Sequence, residues 1–140
     1  MVGLSTKGKY GIKAMFELAC HYDEGPVTIR QIAARHAIPM SYLEQLLVRL
    51  KKAGLVDSIR GPKGGYLLKK PADCIRIGDI VRVLEGPIGL CDCYVSDDAC
   101  DIVDQCVTKV FWKRLSRKLE ELFDQTTLHD LIVEIAEIKD

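Results

Sequence analysis

The chain has 140 residues, of which 48% are apolar, and it carries 20 Lys and Arg against 20 Asp and Glu. This length and apolar content are typical of one folded domain, with or without a helical appendage, and exclude a disordered chain. The 11 glycines and 5 prolines exclude a collagen-like chain. No apolar run approaches the ~20 residues of a membrane span, and the N-terminal residues lack the apolar core of a secretion signal. We therefore expect a soluble cytoplasmic protein without membrane contact.

The two halves of the chain carry opposite charge. Residues 1–70 hold 12 Lys and Arg against 5 Asp and Glu, whereas residues 71–140 hold 8 against 15. A basic half is typical of a surface that binds a polyanion such as a nucleic acid. Charge alone leaves open the alternative of ordinary solvated helix faces. The motifs along the chain distinguish a nucleic-acid-binding surface from ordinary solvated helix faces.

The first third of the chain is predicted to form three helices. Apolar residues at helical spacing place the first helix between Ser5 and Tyr22, before a break at Gly25-Pro26. Capping boxes predict the starts of the next two helices. These boxes are Thr28 with Gln31 and Ser41 with Glu44. The third helix is predicted to end at Gly54 and to bury one face, formed by Leu43, Leu46, Leu47 and Leu50.

A β-hairpin is predicted directly after these helices. Strands at residues 55–59 and 66–68 flank a turn that is rich in glycine and carries two cations, with the sequence Arg60-Gly61-Pro62-Lys63-Gly64-Gly65. Two short helices joined by a tight turn and followed by such a hairpin are typical of a winged helix-turn-helix. The alternative is a helical bundle with an unrelated hairpin. The element order, the capping residues and the basic tip together favour the winged fold.

The second half of the chain is predicted to be helical around a cysteine-rich loop. A short helix covers about residues 78–84, a loop runs to residue 105, a long helix starts at Cys106, and Thr127 caps a last helix. The long helix carries an apolar stripe that has to be buried. We expect a second copy of the chain and the chain's own last helix to pack against it. The stripe consists of Val107, Val110, Phe111, Leu115, Leu119, Leu122 and Phe123.

The predicted fold is therefore mainly α with a small β-hairpin, arranged in three parts. Residues 1–72 form a winged helix-turn-helix DNA-binding domain, and residues 73–105 form a short helix with the cysteine-rich loop. Residues 106–140 form a long dimerisation helix and a C-terminal helix. A dimer also suits DNA reading, because two-fold proteins bind paired half-sites.

Candidate DNA-binding residues follow from the outward face of the third helix and from the tip of the hairpin. Polar side chains in the first turn of a recognition helix usually contact base edges, and cations further along contact phosphates. The first group is Ser41, Tyr42, Glu44 and Gln45, and the second is Arg49, Lys51 and Lys52. The wing adds Arg60, Pro62 and Lys63. For Glu44, a role in the capping box competes with a role in reading bases.

Four of the six cysteines fall within 16 residues, which indicates a metal or redox site in a chain without a secretion signal. They are Cys91, Cys93, Cys100 and Cys106. Thiolates suit iron–sulfur clusters or zinc, and the gaps between these cysteines differ from the tight pairs that structural zinc sites prefer. Metal-free redox-sensing thiols are a third alternative. We expect Cys20 and Cys74 to be bystanders, and His21, His36 and His129 to stand alone on separate elements.

Four sequence blocks resemble one known family. They are Ser5-Thr6-Lys7-Gly8-Lys9-Tyr10, Ser41-Tyr42-Leu43-Glu44-Gln45-Leu46, Arg60-Gly61-Pro62-Lys63-Gly64-Gly65-Tyr66-Leu67-Leu68 and Leu84-Glu85-Gly86-Pro87-Ile88. In this order they are similar to the IscR/NsrR/CymR superfamily of bacterial winged-helix repressors. The cysteine region, together with Cys106-Val107-Thr108-Lys109-Val110-Phe111-Trp112, looks closest to the iron–sulfur cluster regulators of the IscR type.

The resemblance implies a dimer joined through the long helix, with the third helix in the major groove of DNA and the wing in the minor groove. It also implies a cluster, commonly 2Fe–2S, bound by Cys93, Cys100 and Cys106. The candidates for the fourth ligand are Cys91, an acidic loop residue such as Asp92 or Asp98, and a thiol from solution. The chain departs from the family pattern at Lys109, where relatives often have a His ligand, and at Lys9, where others have an acidic ligand.

The function that follows is a homodimeric transcriptional repressor controlled by an iron–sulfur cluster. The resemblance implies that it regulates promoters of cluster-assembly genes, that Glu44 discriminates between two classes of DNA site, and that cluster-donor proteins are partners. One alternative is a repressor that senses nitric oxide or redox state. Another is a cluster-free repressor of cysteine metabolism that acts with a protein partner. An enzyme is not expected, because the sequence has no nucleotide-binding glycine loop and no catalytic triad pattern.

Overall fold

The computed structural model describes residues 3–90 and 107–139. The helices are α1 (Thr6–Cys20), α2 (Ile29–His36), α3 (Met40–Lys52), α4 (Ile77–Glu85), α5 (Lys109–Gln125) and α6 (Leu128–Lys139). Strands β1 (Val56–Ile59) and β2 (Gly65–Leu68) form the hairpin, and a 3₁₀ turn covers Ala72–Cys74. This architecture confirms the predicted fold class of a mainly α protein with a small β-hairpin. None of the described helices is long and apolar enough to cross a membrane.

The start of α2 confirms the first predicted capping box. The Gln31 N–H donates to Thr28 Oγ1 at 3.1 Å, and the Thr28 N–H donates to Gln31 Oε1 at 2.9 Å. Each bond satisfies an amide that the first turn of a helix leaves without a partner. Thr127 caps α6 in the same way, because the Asp130 N–H donates to its Oγ1 at 3.1 Å and the Asp130 carboxylate accepts from its N–H.

The second predicted capping box is wrong. Helix α3 begins at Met40 with Pro39 in the N-cap position, and no side chain caps it. Pro39 already holds φ at −58°, which leads the chain into the helix one residue before the predicted cap. Ser41 therefore has a helical backbone and cannot occupy the extended cap position. Ala37 makes the turn between α2 and α3 in the left-handed conformation, at φ 55°.

The hairpin is bonded through β2 to the segment that precedes α2. Strands β1 and β2 pair antiparallel from Val56 with Leu68 to Ile59 with Gly65. The Val27 N–H donates to the Tyr66 carbonyl at 2.8 Å, and the Tyr66 N–H donates back to the Val27 carbonyl at 2.7 Å. A glycine is required at position 65, because φ is +151° and a Cβ would lie 2.5 Å from the Val27 carbonyl oxygen.

One apolar core joins the helix-turn-helix, the hairpin and the C-terminal half. Met15 and Leu18 of α1, Ile80 of α4 and Leu128 of α6 are each at most 1% exposed. The four leucines predicted to line the inner face of α3 are at most 2% exposed, which confirms that prediction. Burying one such side chain contributes roughly 1.5–3 kcal/mol, so this core supplies most of the packing energy.

A buried carboxylate connects α1 to α2. Glu17 is 4% exposed and accepts from Arg35 at 3.0 Å, from His21 Nε2 at 2.9 Å and from His36 Nε2 at 3.1 Å. Burial alone would raise the pKa of Glu17, but hydrogen bonds from His36, Arg35 and His21 outweigh burial and lower it. The prediction that His21 and His36 stand alone is therefore wrong. A buried charge needs several partners, and residues from two helices provide them.

His21 also contacts Glu24 in the turn after α1. Its Nδ1 bonds the Glu24 carboxylate while its Nε2 bonds Glu17. Carboxylates only accept hydrogen bonds, so both contacts are satisfied together when both ring nitrogens carry hydrogen. The hydrogen bond to Glu24 raises the pKa of His21 most, and Glu17 adds to that effect against the opposing influence of burial.

Helix α5 is attached to α4 by a two-point hydrogen bond. Arg82 Nη1 donates to Asp124 Oδ1 at 2.9 Å and Nη2 donates to Oδ2 at 2.7 Å, with Glu120 Oε1 3.3 Å from Nη2. This contact raises the pKa of Arg82 and lowers that of Asp124. Gly78 leaves the space that the carboxylate fills, since a Cβ there would lie 2.1 Å from Asp124 Oδ1. Sequence patterns did not indicate this contact.

We predict that stability falls as the pH rises past the His21 titration. A raised pKa in the folded state stabilises the protein below about pH 6.5, the ordinary histidine value, and this contribution is lost as the pH rises through the folded value. Urea unfolding at about pH 6 and at about pH 9 measures the change. His21→Gln should reduce the pH dependence, whereas His129→Gln, on the exposed side of α6, should keep it. Equal pH dependence in all three proteins would contradict the prediction.

We also predict that Gly78 and Asp124 are energetically coupled. Gly78→Ala should cost on the order of 1–3 kcal/mol in the parent protein, because the added methyl displaces the carboxylate from Arg82. In an Asp124→Ala background the same substitution should cost much less, since no carboxylate remains to be displaced. Urea unfolding of the two single variants and the double variant measures the coupling. Additive losses, within about 0.5 kcal/mol, would contradict it.

Candidate nucleic-acid interface

Helix α3 presents a polar outer face opposite its buried leucines. Ser41, Glu44, Gln45 and Lys52 are exposed, and the apolar Val48 among them is 42% exposed. These side chains share the helix face that the hydrophobic core leaves free. The predicted base-contacting and phosphate-contacting residues are therefore brought to one surface, with Tyr42 half-buried at its margin.

Glu44 has no structural role at the start of α3. Because Pro39 begins the helix, the capping function considered for Glu44 does not exist, and its carboxylate makes no hydrogen bond or ion pair with the described residues. An exposed carboxylate on such a face can accept from a cytosine amino group, which carries a hydrogen-bond donor in the major groove.

Tyr42 connects the recognition surface to α1. Its ring meets the Tyr10 ring edge to face, with centroids 5.7 Å apart and an interplanar angle of 82°. The Lys13 ammonium lies 5.7 Å from the centroid of the Tyr10 ring. A DNA-facing role of α1 was not among the predictions. The sequence does contain a signal for such a role, because the first half of this helix carries three lysines and no acidic residue.

The C-terminal end of α4 holds both α3 and α1. Arg49 Nη2 donates to the Val83 carbonyl at 2.7 Å, so this predicted phosphate contact also ties α3 to α4. The Glu85 carboxylate accepts from the Gly8 N–H at 2.8 Å and from the N–H and hydroxyl of Ser5. Burial would raise the pKa of Glu85, but the bonds from Ser5 and Gly8 lower it.

The wing carries its predicted cations at an exposed tip. Arg60, Pro62 and Lys63 are all exposed in the turn between β1 and β2. The turn is closed by a hydrogen bond from the Gly64 N–H to the Gly61 carbonyl at 3.0 Å. Lys51 Nζ bonds Ser58 Oγ of β1 at 2.5 Å, so this cation of α3 supports the wing.

The predicted metal ligands Cys91, Cys93, Cys100 and Cys106 lie outside the described residues. Cys20 and Cys74 are exposed and form no disulfide with each other. Within residues 3–90 and 107–139, no three His, Cys, Asp or Glu side chains are grouped to hold a metal ion.

The residues that flank the cysteine segment both lie at α5. The Leu90 N–H donates to Ser116 Oγ at 2.9 Å, and Ser116 is fully buried. Val107 and Thr108 directly precede α5. Seven residues, or about 10 Å of helix, separate Ser116 from the first residue of α5. The long helix therefore fixes both points from which the cysteine segment extends.

Comparison with known proteins places this arrangement in a family. The Rrf2 family model, described as an iron-dependent transcriptional regulator, matches residues 4–134. The HTH-type transcriptional regulator IscR of Erwinia tasmaniensis is 40% identical over 129 residues, which cover 92% of this chain and 78% of the relative. IscR of Yersinia enterocolitica is 39% identical over the same shares of both chains.

Solved structures agree with the sequence match. The structure of T. potens IscR superposes with a TM-score of 0.82 at 42% identity, covering 99% of this chain and 92% of that one. CymR, the global cysteine regulator of B. subtilis, superposes with a TM-score of 0.79 at 41% identity, covering 94% and 96%. The chain belongs to the Rrf2 family, as a DNA-binding transcriptional regulator of the IscR type and not an enzyme.

Proposed function

We propose that the protein is a homodimeric repressor whose binding to promoter DNA in the cytoplasm is controlled by an iron–sulfur cluster, most simply 2Fe–2S. Its targets are genes of cluster assembly, and cluster-donor proteins supply the cluster. The observation that carries the proposal is the position of the residues on either side of the cysteine-rich segment. Its flanking residues lie at α5, and α5 is bonded through Arg82 to α4, which in turn holds α3 through Val83.

Base reading is proposed for the first turns of α3 and phosphate binding for its later cations. Gln pairs with adenine and Glu accepts from cytosine, which assigns these roles to Gln45 and Glu44. Ser41 and Tyr42 complete this group. Lys52 and Arg49 bind phosphates and position the helix without specifying sequence. The wing residues Arg60, Pro62 and Lys63 reach the adjacent minor groove, which a cationic tip suits.

The donor set of the cysteine segment fits a cluster. Cys93, Cys100 and Cys106 supply three soft thiolates of the kind that iron–sulfur clusters use, and Cys91 is a candidate for the fourth. Lys109 and Lys9 stand where relatives are expected to use a ligand. Cys20 and Cys74 belong to separate parts of the fold and are exposed, so neither is assigned to the site.

Dimer formation is proposed through the outer face of α5. Leu119 and Phe123 on one side of this helix pack against the core. On the other side Val110, Phe111 and Leu122 are 79%, 45% and 63% exposed, and Val107, which precedes the helix, is 96% exposed. Large apolar side chains grouped on one helix face are typical of a subunit interface.

A second candidate function is a cluster-free repressor that acts with a protein partner. The likeness to CymR in fold and identity supports it. Sensing of nitric oxide or redox state at the same cysteines is a further variant of the cluster proposal. The cofactor content of the purified protein separates the cluster proposal from the cluster-free one.

We predict that protein purified without oxygen is red-brown and contains iron and sulfide in matching amounts. Cys93→Ala should lose the visible absorption and both elements, because a ligand thiolate is removed. Cys74→Ala is the matched control and should keep them, since Cys74 is an exposed cysteine outside the segment. The measurements are a visible spectrum and iron, sulfide and zinc analysis. A colourless parent protein, with zinc or without metal, would contradict the cluster proposal and favour the partner-dependent repressor.

We predict that Leu122→Lys converts the dimer to a monomer. The charge would be buried in the proposed interface without a partner. Sedimentation should give the parent twice the chain mass of 15.7 kDa and the variant that mass once. Ile59→Lys is the control, because Ile59 is an apolar side chain of similar exposure on the wing, at 50%. A parent protein that sediments at the single-chain mass would contradict the dimer.

A further inference from the structure

The exposed side of α1 carries a row of cations. Lys7, Lys9 and Lys13 are exposed, and the first acidic residue of the helix, Glu17, is buried. Lys9 and Lys13 are four residues apart, so they share one face with about 6 Å between them along the helix axis. Among the described residues, no carboxylate forms an ion pair with either of them.

This row lies beside the recognition helix. The ring of Tyr10 touches the ring of Tyr42, which belongs to the first turn of α3. The Lys13 ammonium in turn lies over the Tyr10 ring, 5.7 Å from its centroid. Two tyrosines therefore set the distance between the lysines of α1 and the residues proposed to read bases.

We propose that Lys9 and Lys13 bind the phosphates that border the groove entered by α3. The inference rests on the proposed docking of α3 in the major groove. That groove is about 12 Å wide and phosphates line both its edges, so an element packed beside the recognition helix faces a phosphate row. Lysine contacts phosphate as a point charge on a flexible stem, which positions the protein without reading sequence.

The backbone at the start of α1 does not offer the same contact. The N-terminus of a helix normally attracts phosphate through its free amides. Here the Glu85 carboxylate occupies that position by accepting from the amides of Ser5 and Gly8. Lys7 lies close enough to Glu85 to lower the pKa of that carboxyl, so part of its charge is already balanced. We therefore assign phosphate binding to Lys9 and Lys13. Lys7 serves as the control for loss of one positive charge on the same helix.

The test is the salt dependence of binding to a fluorescein-labelled duplex of mixed sequence, measured by anisotropy with the full-length protein. Each phosphate contact that is lost should lower the slope of log Kd against log salt by about 0.9. The variant K9Q/K13Q should therefore lower the slope by about 1.8 per bound subunit and weaken binding to all sequences alike. K9R/K13R, which keeps both charges, should keep the parent slope. Lys7→Gln should change it little.

Three results would overturn the proposal. One is a K9Q/K13Q slope equal to that of the parent protein, which would leave these lysines as a solvated face. Another is a Lys7→Gln slope that falls as much per charge, which would indicate a general effect of net charge. The third is loss of the slope in K9R/K13R as well, which would indicate packing on Tyr10 in place of charge. If the parent protein itself failed to bind this duplex, the proposed docking of α3 would fail first, and the proposal with it.

Discussion

The connection between the C-terminal half and α3 depends on the bond between Arg82 and Asp124. This bond fixes α5 to α4, and the last turn of α4 then holds α3 through Val83 and α1 through Glu85. Backbone bonds between Ile77 and Thr126 and between Leu128 and Ile75 hold the other end of α4, each at 2.8 Å. A helix of nine residues thus joins the C-terminal half to α1 and α3, the two helices proposed to touch DNA.

Such an arrangement suits a regulator because its parts are connected by directional contacts. Hydrogen bonds to a carbonyl or a carboxylate have a defined geometry, so a displacement of α5 moves their partners instead of sliding past them. The apolar core alone would transmit less of a displacement of α5 to α3 and α1, because packing contacts have no preferred direction. The proposed control by the cysteine segment requires only that the segment move α5, to which its flanking residues attach.

Local patterns in the sequence predicted the parts of the structure that depend on neighbouring residues. The capping box of Thr28, the leucine face of α3 and the hairpin all follow from residues within a few positions of each other. The start of α3 was missed because Pro39 sets the backbone before the serine that resembled a cap. A pattern of side chains does not contain that information.

The remaining contacts depend on how distant segments pack. Glu17 resembles an ordinary solvated glutamate until α2 brings Arg35 and His36 to it from 18 and 19 residues away. The Tyr10–Tyr42 contact and the bond from Arg49 to Val83 likewise join elements that sequence periodicity treats separately. The outer face of α3 was predictable, whereas the elements that flank it were not.

The paired backbone bonds between Val27 and Tyr66 bear on the entropy of binding. A free two-stranded hairpin is marginally stable in water and would have to be ordered when it meets DNA. Fixing the backbone of one residue costs about 1–2 kcal/mol, and this cost is subtracted from affinity when ordering accompanies binding. Because β2 is held to the body of the protein, the strands of the wing are ordered before DNA arrives. Only the residues of the tip remain to be immobilised, so a larger share of their contact energy is retained as affinity.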